Sequence, residues 1–271
     1  MELTNISWCG LTWNPSKGCT HVNSLCDNCY MFRDVERWGG NPTEVIRTKP
    51  ATFNKPLYNK VPTVYFLASM TDFFHAAIDS YRAEVWDIIA RTPHHIYQIL
   101  TKRPGRIARC LPPDWESNPE KWKHVWLGTS IGGDKADAIM VEKLVQIPAS
   151  VLFLSIEPLI ASVQGALLNF IAAETNAMKW VIVGGESGNG KVANDNVKYG
   201  YRESELEWFT EVVNACSYLE VPCFVKQLGV HLAKELGAKT RTGKLLTDLP
   251  ECIRVRQFPL DVSKYICNSN L

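Results

Sequence analysis

Six short apolar runs, each followed by a stretch with helical spacing, constrain this chain more than any other feature, because such alternation folds as βα units around a parallel sheet. The runs are Thr63 to Ala68, His95 to Leu100, Val125 to Gly128, Val151 to Leu154, Trp180 to Val183 and Cys223 to Val225. An earlier strand is expected over residues 6–13, which makes about seven. Apolar spacing predicts amphipathic helices over 82–91, 135–146 and 203–219, with another beginning near Tyr30. The fold class is therefore α/β, a partial (β/α) barrel of about six or seven parallel strands. A single domain over residues 1–271 is the default for a chain of 271 residues that is 46% hydrophobic. Residues 39–60 read as a long connection and 112–123 as a surface insertion. The polar, basic extension at about 236–271 is expected to close one mouth of the barrel or to wrap its surface.

Polar groups recur where these strands end. Ser69 to Asp72 follow the first run, and Thr101, Lys102 and Arg103 the second. Thr129 and Ser130, then Ser155 and Glu157, then Gly184, Gly185, Glu186 and Ser187, and finally Lys226 and Gln227 follow the others. In a parallel barrel these ends share one face, where active sites are built, so one pocket is expected there. Glu157, between an apolar strand and Pro158, is costly unless bonded or functional. Lys226 either binds an anionic group or makes a structural ion pair with Glu157 or Glu186. Lys102 and Arg103 suit a carboxylate or phosphate, with solvated charge before Pro104 as the alternative. Gly184 and Gly185 let a ligand approach the backbone or simply form a turn. Asp72 and Glu186 are carboxylates suited to an ammonium group. His75 reads as a helix-start or core histidine.

Nine cysteines is an odd number, and three of them, Cys19, Cys26 and Cys29, form a C-x6-C-x2-C array in a loop at about 14–30, directly after the first expected strand. Their crowding argues for thiolate ligands in a reducing compartment and against a disulfide framework. The other six read as small hydrophobes. The amino terminus lacks a secretory pattern and no run reaches membrane-spanning length, so a cytoplasmic protein with no membrane partner is expected. Three thiolates are one short of a closed zinc site, whereas a three-cysteine iron–sulfur cubane leaves one iron open. His21 or Cys9 would complete a zinc site. Lys plus Arg number 29 against 28 for Asp plus Glu, so no global field attracts nucleic acid. Local contact would come from Lys102 to Arg109 and Lys234 to Lys244, with Trp115 and Trp122 stacking bases.

Seven blocks carry a resemblance over nearly the whole chain: TWNPSKGCTHVNSLCDNCY at 12–30, SMTDFFH at 69–75, LTKRP at 100–104, LGTS at 127–130, LSIEPL at 154–159, VIVGGESG at 181–188 and FVKQLG at 224–229. They resemble a phage- and mobile-element-associated family of unknown function with a three-cysteine motif. More loosely, a cysteine loop after the first strand of a partial barrel is similar to the radical S-adenosylmethionine (SAM) superfamily. That likeness implies a 4Fe-4S cluster on Cys19, Cys26 and Cys29 and SAM on the open iron, cleaved by a cluster electron to a hydrogen-abstracting 5′-deoxyadenosyl radical. Asp72, Lys102, Ser130, Glu157, Gly184, Gly185, Glu186 and Lys226 are the candidate cofactor-binding residues. A flavodoxin- or ferredoxin-like reductant is implied as partner; a nucleobase, nucleotide or nucleic acid is the first substrate class considered, with a peptide or small metabolite open beside it. The sequence departs from the superfamily's cysteine motif at two points. Its first cysteine gap is six residues instead of three, and Asn28 precedes the third cysteine where an aromatic is usual; Tyr30, just after, is the candidate for that packing role. The Gly-Gly-Glu at 184–186 also comes far later than the superfamily's SAM-binding Gly-Gly-Glu. A non-catalytic metal-binding regulator and a zinc-dependent hydrolase are the competing readings.

Overall fold

The computed structural model describes residues 4, 6–189, 191–192 and 198–266. After β1 (Leu11–Trp13), a small antiparallel ribbon joins β2 (Ser16–Lys17) to β3 (Ile46–Arg47). The remaining strands are β4 (Val64–Leu67), β5 (Ile96–Thr101), β6 (Val125–Ile131), β7 (Val151–Ile156), β8 (Met178–Gly184) and β9 (Cys223–Gln227). Seven strands pair in parallel in the order β1-β4-β5-β6-β7-β8-β9, and the sheet curls into a half-barrel. β4, β6 and β7 are buried at every position, which is why they read as unbroken apolar runs and not as alternating ones.

The principal helices are α1 (Tyr30–Arg37), α2 (Arg82–Ala90), α3 (Asp137–Val145), α4 (Gln164–Ala172), α5 (Leu206–Tyr218) and α6 (Gly229–Glu235). Val85, Ile89, Val141, Leu144, Leu167, Phe170, Phe209 and Val212 from four of them pack on Tyr65, Leu67, Leu127, Leu152, Leu154, Val181 and Val183, the convex face of the sheet. The alternate residues form a second, helix-free core on the concave face: Val64, Phe66, Ile96, Trp126, Val151, Phe153, Trp180, Ile182 and Phe224. Gly128 faces the same way, and a Cβ there would lie 2.6 Å from the Phe153 ring.

The two ends of the chain cover that concave core. Trp8 and Cys9 enter it from before β1, so the strand expected over 6–13 is paired only at 11–13, its first half serving as filling. Val262 and Ile266, with Phe258 and Tyr265 partly buried beside them, enter from the carboxyl-terminal extension. These residues meet the lower layers of the strands, so the last part of the extension, residues 258–266, closes the amino-terminal mouth of the half-barrel. The connection at 39–60 holds β3 and two short helices, Pro50–Phe53 and Lys55–Tyr58. Among the described residues no helix is long and apolar enough to cross a membrane.

Trp115 and Trp122 are each only 4% exposed, so the expectation that they stack bases is corrected. They pack with Trp86 in the convex core, and their indole N–H groups donate to Pro148 O and Asp114 Oδ1. Aromatics near a basic stretch look the same in sequence whether they face solvent or core.

His95, fully buried just before β5, directs Nε2 to the carbonyls of Pro56 (3.3 Å) and Asn59 (3.0 Å). Burial, reinforced by His94, lowers its pKa to about 4. The unfolded chain would bind this proton at about 6.5, so His95 favours folding fully above that pH and loses the contribution as pH falls towards 4. We expect about 3 kcal/mol of stability to be lost across that window. Urea midpoints of wild type and His95→Gln measured from pH 7 to 4 check this, since the variant should lack that part of the slope.

Candidate functional site

All seven sheet strands are parallel, so the segments after β1, β4, β5, β6, β7, β8 and β9 share one edge of the half-barrel. The cysteine loop follows β1 and lies across that edge. Gly18, at φ +94°, turns the chain into Cys19 where a Cβ would meet the Glu44 carbonyl at 2.1 Å, so only glycine fits. Gly18 N–H donates to Met70 O (3.0 Å), and Thr71 Oγ1 donates to Gly18 O (2.6 Å). Tyr30, at the start of α1, donates its hydroxyl to Ser69 O (2.7 Å).

Two carboxylates clamp the loop from opposite sides. Asp72, 5% exposed, accepts from Thr101 Oγ1 (2.8 and 2.9 Å) and from the backbone N–H groups of Phe74 (2.9 Å) and Lys102 (3.0 Å). It also pairs with Arg103 Nη1 at 3.2 Å. Arg103 in turn donates to Thr20 O and Oγ1, both at 2.8 Å, and approaches Cys19 Sγ at 3.6 Å. On the other side Glu186, 7% exposed, pairs with Arg202 at 2.7 Å and accepts from Asn28 Nδ2 at 3.1 Å. Arg202 reaches on to Ser24 O (2.9 Å). After β6, Asp134 accepts from the Ser24 hydroxyl and from its backbone N–H (3.2 Å).

Asp72→Ala would strand the half-buried Arg103 charge and is expected to cost about 3–5 kcal/mol, the range for breaking one side of a buried pair. Denaturant unfolding measures it. A loss under about 1 kcal/mol, typical of an exposed pair, would contradict the clamp.

The remaining strand-end residues are also partnered. Lys226 Nζ lies 2.6 Å from Glu157 Oε1, the structural ion pair weighed as one alternative, and Gln227 donates to the same oxygen at 3.1 Å. Ser130 is buried and in register with Ser155 on the concave side. Lys102 is half-buried, and its backbone N–H donates to Asp72. Gly184 and Gly185 have a packing reason: a Cβ on Gly185 would sit 2.1 Å from Leu228 O, and one on Gly184 3.3 Å from Glu157. His75 caps a short helix, its Nδ1 accepting from Ala77 N–H, while Nε2 meets Thr20 Oγ1 at 3.0 Å. The sequence alone does not single out Arg202 or Asp134. Asp134 obeys the same strand-end pattern, but nothing in the sequence pairs Arg202 with Glu186 sixteen residues earlier.

Cys19, Cys26 and Cys29 pack into one small cluster with Met31, Phe32 and Tyr199. All three are free thiols. Burial and then Asp72 push Cys19 up to about 11, opposed by Arg103. Among the described residues no three His, Cys, Asp or Glu side chains are already drawn together as a metal-ligand set. The donor chemistry nevertheless fits a soft thiophilic centre, because three thiols come from one anchored loop in a shared apolar setting. Cys9 belongs to the concave core instead. His21 is exposed, with its ring on Phe32 and Asp27 3.8 Å away. Cys110, Cys216 and Cys223 are buried as expected of small hydrophobes, Cys252 is exposed, and Cys267 lies outside the described residues.

A family model described as "Protein of unknown function (DUF5131)" matches residues 3–250. The chain belongs to the DUF5131 family. Comparison with curated proteins and with solved structures gave no match. The match to this DUF5131 protein takes in the whole seven-stranded sheet, the cysteine loop and the amino-terminal cover of the concave core, and ends before the carboxyl-terminal segment that completes that cover.

Proposed function

We propose that this protein is an iron–sulfur enzyme of the radical SAM type, with Cys19, Cys26 and Cys29 holding a 4Fe-4S cluster and SAM as the second cofactor. The observation that carries the reading is three free thiols in one anchored loop, placed across the carboxyl-terminal mouth of a parallel half-barrel. When bound, a cluster with one iron unligated by cysteine supplies the electron that cleaves the sulfonium. The chain's own groups do the rest. Asp72 with Arg103, and Glu186 with Arg202 and Asn28, fix the loop and set the charge beside it. Ser130, Lys102 and the free Oε2 of Glu157 are the polar groups left to meet cofactor or substrate. A flavodoxin- or ferredoxin-like protein is the expected reductant.

One observation favours a second reading. The two carboxylates suited to the SAM ammonium are already held by arginines at 3.2 and 2.7 Å, which suits a metal-binding regulator whose clamps are purely structural. A zinc-dependent hydrolase is the third, with His21 and a carboxylate completing the site and a water as nucleophile. Anaerobic purification with iron, acid-labile sulfide and zinc analysis tests the metal. Near four irons and four sulfides per chain support the cluster; stoichiometric zinc without sulfide rejects it.

A further inference from the structure

The segment Lys239–Lys244 (KTRTGK) is built more rigidly than an exposed basic stretch requires. The buried Asp248 carboxylate accepts from the backbone N–H groups of Lys239 (2.9 Å), Thr240 (3.3 Å) and Leu245 (3.3 Å), and from the Thr240 hydroxyl. Lys244 N–H donates to Thr240 Oγ1 at 2.9 Å, and Gly243, at φ +60°, donates to Thr240 O at 3.0 Å. The loop is docked where β9 meets α6: Leu228 and Gly229 donate to the carbonyls of Gly243 (3.4 Å) and Thr242 (3.1 Å), and Arg256 donates to Lys244 O (2.6 Å).

This docking puts the loop at the carboxyl-terminal mouth. Arg241 Nη1 reaches Ser187 O at 3.3 Å, next to the Glu186 that clamps the cysteine loop. Lys239, Arg241 and Lys244 are exposed, as is Lys191 four residues beyond Ser187, and among the described residues none of these four has a carboxylate partner. Among the same residues the backbone N–H groups of Arg241 and Thr242 find no acceptor. With a net charge of only +1, this is a local cationic edge and not part of a general field.

We propose that this loop, with Lys191, binds the phosphate backbone of a single-stranded nucleic acid and presents it to the cysteine loop. A loop backbone already held in place needs no further ordering on binding, and several separate cations along one edge match a row of phosphates better than a lone one. A base is chemically accessible only outside a duplex, which favours the single strand. The presentation rests on the cysteine loop being the reactive site; the binding does not.

The test is fluorescence anisotropy with a labelled oligothymidylate of about 20 nucleotides, at salt from about 50 to about 200 mM. The combined variant Lys239→Ala, Arg241→Ala, Lys244→Ala should bind at least about tenfold more weakly, and its slope of log affinity against log salt should fall by about 2. Lys60→Ala with Lys123→Ala, both just before the amino-terminal ends of strands, should leave binding unchanged, and thermal melting should confirm that all variants fold. Cys26→Ala should bind like wild type, so loss of the metal and failure of this surface are separable. No salt-dependent binding by wild type, or equal weakening by the control pair, would overturn the proposal. So would tighter binding of the matching duplex, or displacement of the strand by inorganic phosphate at constant ionic strength.

Discussion

Single replacement of Cys19, Cys26 or Cys29 by alanine is expected to abolish retention of iron and sulfide, while Cys110→Ala and Cys216→Ala retain both. The three thiols lie in one loop cluster, whereas Cys110 and Cys216 are buried in the convex core behind the sheet. A cubane held by two thiolates exposes two irons and is lost on desalting, so the effect should be near complete and not graded. Iron and sulfide per chain after anaerobic reconstitution provide the readout. Normal content in any one of the three variants, or loss in either control, would show that the ligand set is misassigned. Far-ultraviolet circular dichroism guards against a trivial cause, because the half-barrel core does not depend on these side chains.

Trp180→Ala is expected to remove most of the chain's stability. Its side chain is fully buried at the centre of the concave core, with ring centroids of Trp8, Trp126, Phe153, Phe224 and Phe258 between 5.3 and 6.4 Å away. Its indole N–H donates to Gln257 O at 2.8 Å, tying β8 to the carboxyl-terminal extension. Truncation of a buried tryptophan costs about 3–5 kcal/mol, against a total of about 5–15 for a typical protein. The neighbours come from β6, β7, β9 and both chain ends, so the cavity cannot close by a local shift. Urea unfolding of Trp180→Ala and Trp180→Phe should give a large and a smaller loss in that order. A loss below about 1 kcal/mol for the alanine variant would mean that the concave core is not packed as described.

The half-barrel was legible because its strands are buried on both faces and so appear as apolar runs at helix-separated intervals. β4 through β9 all lie within a few residues of the expected spans. β1 was harder. Trp8 and Cys9 are as apolar as a strand requires, but they leave the ladder to fill the space under the sheet, a choice set by tertiary packing. Helix α4 was missed because Gln164–Ala172 is mostly apolar and carries Gly165, which blurs helical periodicity.

At the mouth, strand-end polarity marked Asp72, Glu157, Glu186 and Lys226 as candidates for cofactor contact, with a structural ion pair as the alternative for Lys226; in the structure all four have protein partners. It did not name those partners, apart from the Lys226–Glu157 pair. Arg103 approaches Asp72 because β4 and β5 are neighbours, and Arg202 approaches Glu186 through a return of the chain that leaves no local pattern. The basic stretch at 234–244 was visible as charge. That its Lys239–Lys244 part forms a rigid turn depends on Asp248, whose carboxylate reads in sequence as one more surface acid.

The central claim is that this cysteine loop supports SAM cleavage, and the most direct measurement is anaerobic incubation of the cluster-loaded protein with dithionite and SAM, followed by chromatography of the nucleosides. The account predicts slow formation of 5′-deoxyadenosine by wild type and none by Cys26→Ala. A fully loaded cluster that yields no 5′-deoxyadenosine would contradict it and leave the metal-binding regulator as the better description.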